Sequence, residues 1–304
     1  FSRRLGGDAG WTTPYELLHG YNASTVYSVP AHRVDNADVA HIVVEKTSVT
    51  GTICSWMLLY GRFPVADPGS AQWETIDAET PYYYPWSSNQ ASPSISLDSD
   101  GNPYVCWSRG GEIYAATKLG ASWPTMNVSE SPANDSKDCS IELQVGTAHF
   151  VWAEEMRPGA GDYDILHRAY RYFPPPQDWL TTAPENISNS PAASEAPVFC
   201  ANCVTWHEET GDWTEVYFSA KGDPLWTAPQ NISNCDWADS KFPQMVYVGA
   251  TPPKAPHVKV IWSEGREPLC MIQAKSIEAS GSGGGGGQSA DDLVLLKAFS
   301  LGQN

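Results

Sequence analysis

Residues 91–129 alternate apolar and polar positions in short runs. Ser94–Leu97, Pro103–Trp107, Glu112–Thr117 and Trp123–Val128 each read as one run, with Asp98–Asn102 forming a turn between the first two. Period-two alternation bounded by Gly, Asp, Asn and Pro predicts four strands joined by hairpins. One such sheet leaves two edges and both faces uncovered, so it needs neighbours.

The same pattern recurs along the chain. Its second strand returns as YVCW (Trp107), HFVW (Trp152), CVTW (Trp206) and KVIW (Trp262), with a weaker copy, HIVV (Val44), before them. The third returns as EIYAAT (Glu112), DILHRA (Asp164) and EVYFSA (Glu215). The last returns as a Trp followed by Asn-Val/Ile-Ser: Trp123 with Asn127 and Ser129, Trp179 with Asn186 and Ser188, Trp226 with Asn231 and Ser233. Steps between the anchor Trp residues are 45, 54 and 56. A four-stranded unit at this period predicts an all-β, five-bladed β-propeller with four-stranded antiparallel blades.

The predicted blades run over 21–77, 86–129, 138–188, 196–233 and 242–276. The last offers only three strands, Phe242–Val248, Val258–Trp262 and Leu269–Lys275. Trp11-Thr-Thr-Pro resembles Trp226-Thr-Ala-Pro, so residues 11–18 are expected to supply the missing strand and close the ring. Closure removes the two edges an open ring exposes. Residues 1–279 therefore read as the propeller, and 280–304 as a Gly-rich linker with a separate terminal segment.

Charge narrows the partners. Lys plus Arg number 18 against 35 Asp plus Glu, a net charge of −17, which argues against a nucleic acid and against anionic membrane surfaces. No apolar run reaches the ~20 residues of a membrane-spanning helix. The chain opens Phe1-Ser-Arg-Arg without Met, which reads as a processed or trimmed start.

Beyond the linker Gly281–Gly287, Phe299-Ser-Leu-Gly-Gln-Asn304 resembles the opening of the C-terminal sorting domain of bacterial proteins exported by type IX secretion. That family's following Tyr-Pro-Asn-Pro-Phe-like stretch is absent. The resemblance implies a secreted or cell-surface protein. The repeats themselves resemble the sialidase-type (BNR-like) propellers of secreted proteins. The nearest thing to their Asp-box is Leu97–Asn102, which lacks the Trp, and the few arginines show no matching motif for a carboxylate-binding triad. The resemblance therefore implies the fold rather than the activity.

Seven cysteines are an odd set. Cys54, Cys106 and Cys270 read as small buried apolar residues. Cys200-Ala-Asn-Cys203 has metal-ligand or redox spacing, but no second pair exists for zinc; a local bridge is compatible with an exported chain. Asp98-Ser-Asp100-Gly101-Asn102 has the composition of half a calcium loop and lacks the rest of it. A hairpin turn explains it, and no cofactor is expected.

Two sets carry the candidate chemistry. Two residues beyond each second-strand anchor stand Lys46, Arg109, Glu154, Glu208 and Glu264, one per blade, with Asp164 entering the next strand nearby. Equivalent positions should ring one mouth of a propeller. Two of Glu154, Glu208, Glu264 and Asp164 at 5–10 Å would suit a glycoside hydrolase; the competing expectation is that they begin solvated hairpins. The second set is the loop Tyr82-Tyr83-Tyr84-Pro85-Trp86, whose flat rings suit stacking on sugar. With Arg109 and Lys46 these form the expected ligand contacts. The sequence thus points to a secreted propeller binding an extracellular glycan or surface protein, with a glycoside hydrolase and a structural subunit of an extracellular assembly as alternatives.

Overall fold

The structure, a computed structural model, describes residues 16–18, 25–28, 30–50, 53–83, 91–118, 120–171, 178–180, 183–222, 225–249, 257–266 and 269–278. The described chain is all-β apart from a 3-10 turn at Pro68–Ser70. It falls into two compact units, Phe1–Asn127 and Val128–Asn304.

The first unit holds two antiparallel sheets. Thr25–Tyr27, Val39–Thr50, Ile53–Pro64 and Gln72–Tyr83 form one, with Ala31–Val34 also paired to Val39–Thr50. Ser94–Leu97, Pro103–Arg109, Glu112–Thr117 and Thr125–Asn127 form the next, in that order. The second unit holds three. Ser136–Gln144, Thr147–Glu155 and Tyr163–Arg171 are followed by two short strands, Asp178–Trp179 and Glu185–Asn186, both on Tyr163–Arg171. Ser194–Cys200, Cys203–Thr210, Trp213–Ala220 and Gln230–Asn231 form the fourth sheet. Asp239–Val248, His257–Arg266 and Leu269–Glu278 form the fifth, three-stranded among the described residues. Apart from Ala31–Val34 in the first sheet and Glu185–Asn186 in the third, each is an up-and-down meander in chain order, the building unit of a propeller blade.

The recurring Trp residues are the packing anchors. Trp107, Trp152 and Trp206 are fully buried, and Trp262 nearly so. In the first unit Trp107 and Val105 join Val43, Leu58 and Tyr60 of the preceding sheet. In the second, Trp206 and Val204 join Val151 and Ile165, while Trp262 and Val260 join Val216 and Phe218. A Trp that buries 150–250 Å² gains a gross ~4–6 kcal/mol from the burial.

The first strands of the third, fourth and fifth sheets share a bulge. The ladder slips between Lys137 and Ser140, between Glu195 and Val198, and between Lys241 and Gln244. At each slip sits a non-glycine residue with positive φ: Asp138 at 54°, Ala196 at 49° and Phe242 at 55°. One extra residue bends the strand and raises its twist. Recurrence at equivalent places marks this as a property of the repeat.

Two expectations change. Tyr82 and Tyr83 do not lie in an inter-blade loop: the strand Gln72–Tyr83 carries the ladder to its end, with Cys54 opposite Tyr82 and Ile53 opposite Tyr83. Tyr84 and Trp86 lie outside the described residues, as do residues 11–15 and the whole tail from 279. Glu16–Leu18 are described and form no strand. Leu17 instead packs, half-buried, against Ala40, Ile42 and Phe63 of the first sheet.

Candidate functional site

The anchor Trp and the acid two residues later lie on the same side of their strand, because side chains alternate with period two. The third, fourth and fifth sheets use this identically. Trp152 Nε1 donates to Glu154 Oε2 at 2.7 Å, Trp206 Nε1 to Glu208 Oε2 at 3.1 Å, and Trp262 Nε1 to Glu264 Oε2 at 3.3 Å. A serine directly across the ladder adds a second donor: Ser136 Oγ at 3.0 Å, Ser194 Oγ at 3.0 Å and Ser240 Oγ at 3.4 Å. The other oxygen is also taken, by Asn134 on Glu154, Ser190 Oγ on Glu208 and Gln273 on Glu264. All three acids are buried. The expectation that they begin solvated hairpins therefore fails: a buried indole N–H needs an acceptor and a buried carboxylate needs donors, and each supplies the other.

Asp164 is held in a comparable way. It accepts from Asn186 Nδ2 at 2.6 Å, Ser188 Oγ at 2.8 Å and the Ser190 amide at 2.9 Å. Ser188 Oγ in turn accepts from the Ile165 amide at 2.9 Å. Glu215 repeats the arrangement with Ser233 Oγ and the Cys235 amide, and Ser233 Oγ accepts from the Val216 amide at 2.8 Å. The recurring Asn-x-Ser is thus a lock that fastens the fourth strand to the third.

In the first unit the positions two residues beyond the anchors are basic, Lys46 and Arg109, and the indoles find acids elsewhere. Trp107 Nε1 and Arg109 both donate to Asp77 Oδ2, at 3.1 and 2.6 Å. The Arg109 guanidinium lies 4.3 Å from the Tyr114 ring centre. Trp56 Nε1 donates to Glu45 Oε1 at 2.9 Å. Lys46 is half-buried, opposite Tyr27 and Met57.

The remaining motifs resolve as turns. Asp98 accepts from the Asp100 and Asn102 amides and from Asn102 Nδ2, so its carboxylate closes its own hairpin. Cys200 and Cys203 face each other across a two-residue turn in which Ala201 and Asn202 have φ of 50° and 63°. Burial, with Cys200 beside it, pushes the Cys203 thiol up to about 12.

A polar cluster outside both expected sets recurs in the two units. In the second, Glu185 of the third sheet receives Lys221 and Trp226 of the fourth. Lys221 Nζ, Trp226 Nε1 at 3.1 Å and His167 Nδ1 at 2.9 Å all reach the same oxygen, Oε2. The carboxylate only accepts, so His167 Nδ1 carries the proton, Nε2 is the acceptor, and His149 Nδ1 donates to it at 3.0 Å. Phe199 stacks on His149 with ring centres 5.0 Å apart, and Trp226 stands edge-on to His167 at 5.2 Å. The His167 hydrogen bond leads in holding Glu185 down to about 2; burial pushes His149 down to about 3.

In the first unit Glu74 receives Lys118 on Oε1 and Trp123 Nε1 on Oε2 at 3.3 Å. Beside it Asp35 accepts from His41 Nε2 at 3.3 Å, and the Tyr60 hydroxyl donates to His41 Nδ1 at 2.7 Å. Burial pushes the Tyr60 phenol up to about 12. The sequence signal for this cluster was the Lys-x4-Trp spacing, 118 to 123 and 221 to 226. Its acids, Glu74 and Glu185, come from the preceding sheet in unlike contexts, so no motif announces them.

No protein-family model matches the chain, and no curated protein matches it. Among solved structures it is similar to the Aleuria aurantia lectin, at 10% identity over 99% of this chain and 88% of that one, with a TM-score of 0.48. It is also similar to an α-L-arabinanase of Penicillium chrysogenum, at 12% identity over 80% and 76%, with a TM-score of 0.47. A sialidase of Trypanosoma rangeli matches at 10% identity over 87% of this chain and 47% of its own, with a TM-score of 0.42.

Proposed function

We propose that the protein is a five-bladed β-propeller that binds glycan outside the cell without turning it over. The observation that carries the preference for binding over catalysis is the saturation of Glu154, Glu208, Glu264 and Asp164 by donors of their own neighbourhood. A general acid or base must exchange a proton with substrate, and a nucleophilic carboxylate must reach the sugar. These four are buried and committed to holding strands together. The fifth sheet is three-stranded among the described residues, and Trp11-Thr-Thr-Pro resembles the Trp226-Thr-Ala-Pro that leads into the last strand of the fourth sheet. The sorting-type tail supports an exported protein.

The test is a glycan array run beside a reducing-sugar assay on the same polysaccharides. Binding without release of reducing ends supports this reading. Release that disappears in Glu208→Gln, with folding intact, replaces it with the glycoside hydrolase.

A further inference from the structure

We propose that Glu185, Lys221 and Trp226 form a subsite for one neutral sugar residue. This rests on the glycan-binding reading above and gives it a place. A sugar is recognised by an acceptor and a donor for its hydroxyls and by an aromatic surface for its C–H face. The cluster joins an acceptor and a donor with Trp226, which is half-buried against the core around Trp206 and has Lys221 Nζ 5.1 Å from its ring centre.

The distribution of hydrogen bonds leaves the needed capacity. Three donors converge on Glu185 Oε2, and among the described residues none meets Oε1. The Glu185 side chain is 33% exposed and that of Lys221 24%, so both reach solvent. An ammonium has three N–H donors, and Lys221 spends one on Glu185.

The groups are also fixed in advance. The chain from His149 through His167 to Glu185 holds the carboxylate in one orientation, while Phe199 backs both imidazoles. Side chains already ordered lose little freedom on binding.

Charge selects the class of sugar. The one ammonium is already paired with the one carboxylate, and Glu185 is ionised at any ordinary pH because its hydrogen bonds hold it to about 2. A uronic or sialic acid would bring a second anion to that carboxylate, and among the described residues the one Lys or Arg paired with it is Lys221. A neutral residue brings hydroxyls only.

The Glu74 cluster is the internal comparison. It has the same Lys-x4-Trp, but both of its carboxylate oxygens are taken. It fastens two sheets and offers no second oxygen.

The experiment is calorimetric titration of the whole chain with neutral xylan, arabinan, galactan and β-glucan fragments, and with oligogalacturonate as the anionic probe. Glu185→Gln, Trp226→Phe and Glu74→Gln are compared with the parent, and melting temperature is read for each. The expected result is binding of at least one neutral fragment, weakened tenfold or more by Glu185→Gln and changed less than twofold by Glu74→Gln. Unchanged binding in Glu185→Gln overturns the subsite and leaves the glycan-binding reading standing. Absence of binding by the parent to any fragment overturns both. Tighter binding of oligogalacturonate than of any neutral fragment overturns the sugar class. Should Glu185→Gln fail to fold, Lys221→Met is used, and the same tenfold criterion decides.

Discussion

Trp206 and Glu208 stand two residues apart on one strand, and the indole nitrogen of the first donates to the carboxylate of the second at 3.1 Å. Ser194 and Ser190 complete the shell. Glu208→Gln keeps the volume but loses the charge on which these donors converge. Hydrogen bonds to a buried charge are worth ~1.5–3 kcal/mol, so a stability loss of about 2 kcal/mol is expected in urea unfolding. A change under 0.5 kcal/mol would mean that the pair contributes little to folding.

The Asn-x-Ser lock gives a second expectation. Ser188→Ala removes a donor from Asp164 and the acceptor of the Ile165 amide. Ser233→Ala does the same to Glu215 and Val216. A buried group left unpaired costs ~1–3 kcal/mol. Each variant is expected to lose about that much, and hydrogen exchange at Ile165 or Val216 is expected to quicken. Unaltered exchange at those amides would count against the lock.

Acid sensitivity follows from the imidazole pair. His149 is moved from 6.5 to about 3, and His167 is lowered too, both chiefly by burial. The unfolded chain takes up these protons first. The stability the neutral rings contribute is whole above about pH 6.5 and drains as pH falls toward 3. Glu185, lowered from 4.5 to about 2, adds to the loss at the acid end. Melting temperature is expected to drop steadily from pH 6.5 to 4, and His149→Phe, which keeps an aromatic ring against Phe199, is expected to flatten that slope. Parallel slopes for the two proteins would contradict this origin.

Gly61 is fixed by space. A Cβ there would lie 2.6 Å from the Trp73 ring, and Trp73 packs against Ala40, Ile42 and Phe63. Gly61→Ala must push the indole aside, at the ~1–3 kcal/mol typical of overpacking. Tryptophan fluorescence should shift with the loss of stability; an unchanged denaturation midpoint would show that the ring yields freely.

The sequence by itself determined the strands, because period-two alternation and turn residues act locally, and the repeat, because four of the five sheets bury the same Trp against a neighbour. It also held a clue to the Glu154, Glu208 and Glu264 contacts. Residues two apart on a strand share a face, and an acid that recurs sheet after sheet beside the same Trp serves the repeat. Only the tertiary structure decided how those acids are spent, since their other donors, Asn134, Ser190 and Gln273, come from other strands and loops of irregular spacing. The same holds for Glu185, which meets Lys221 and Trp226 across two sheets. A carboxylate's chemistry depends on the donors that reach it. Those arrive through folding from residues that neither periodicity nor spacing brings together.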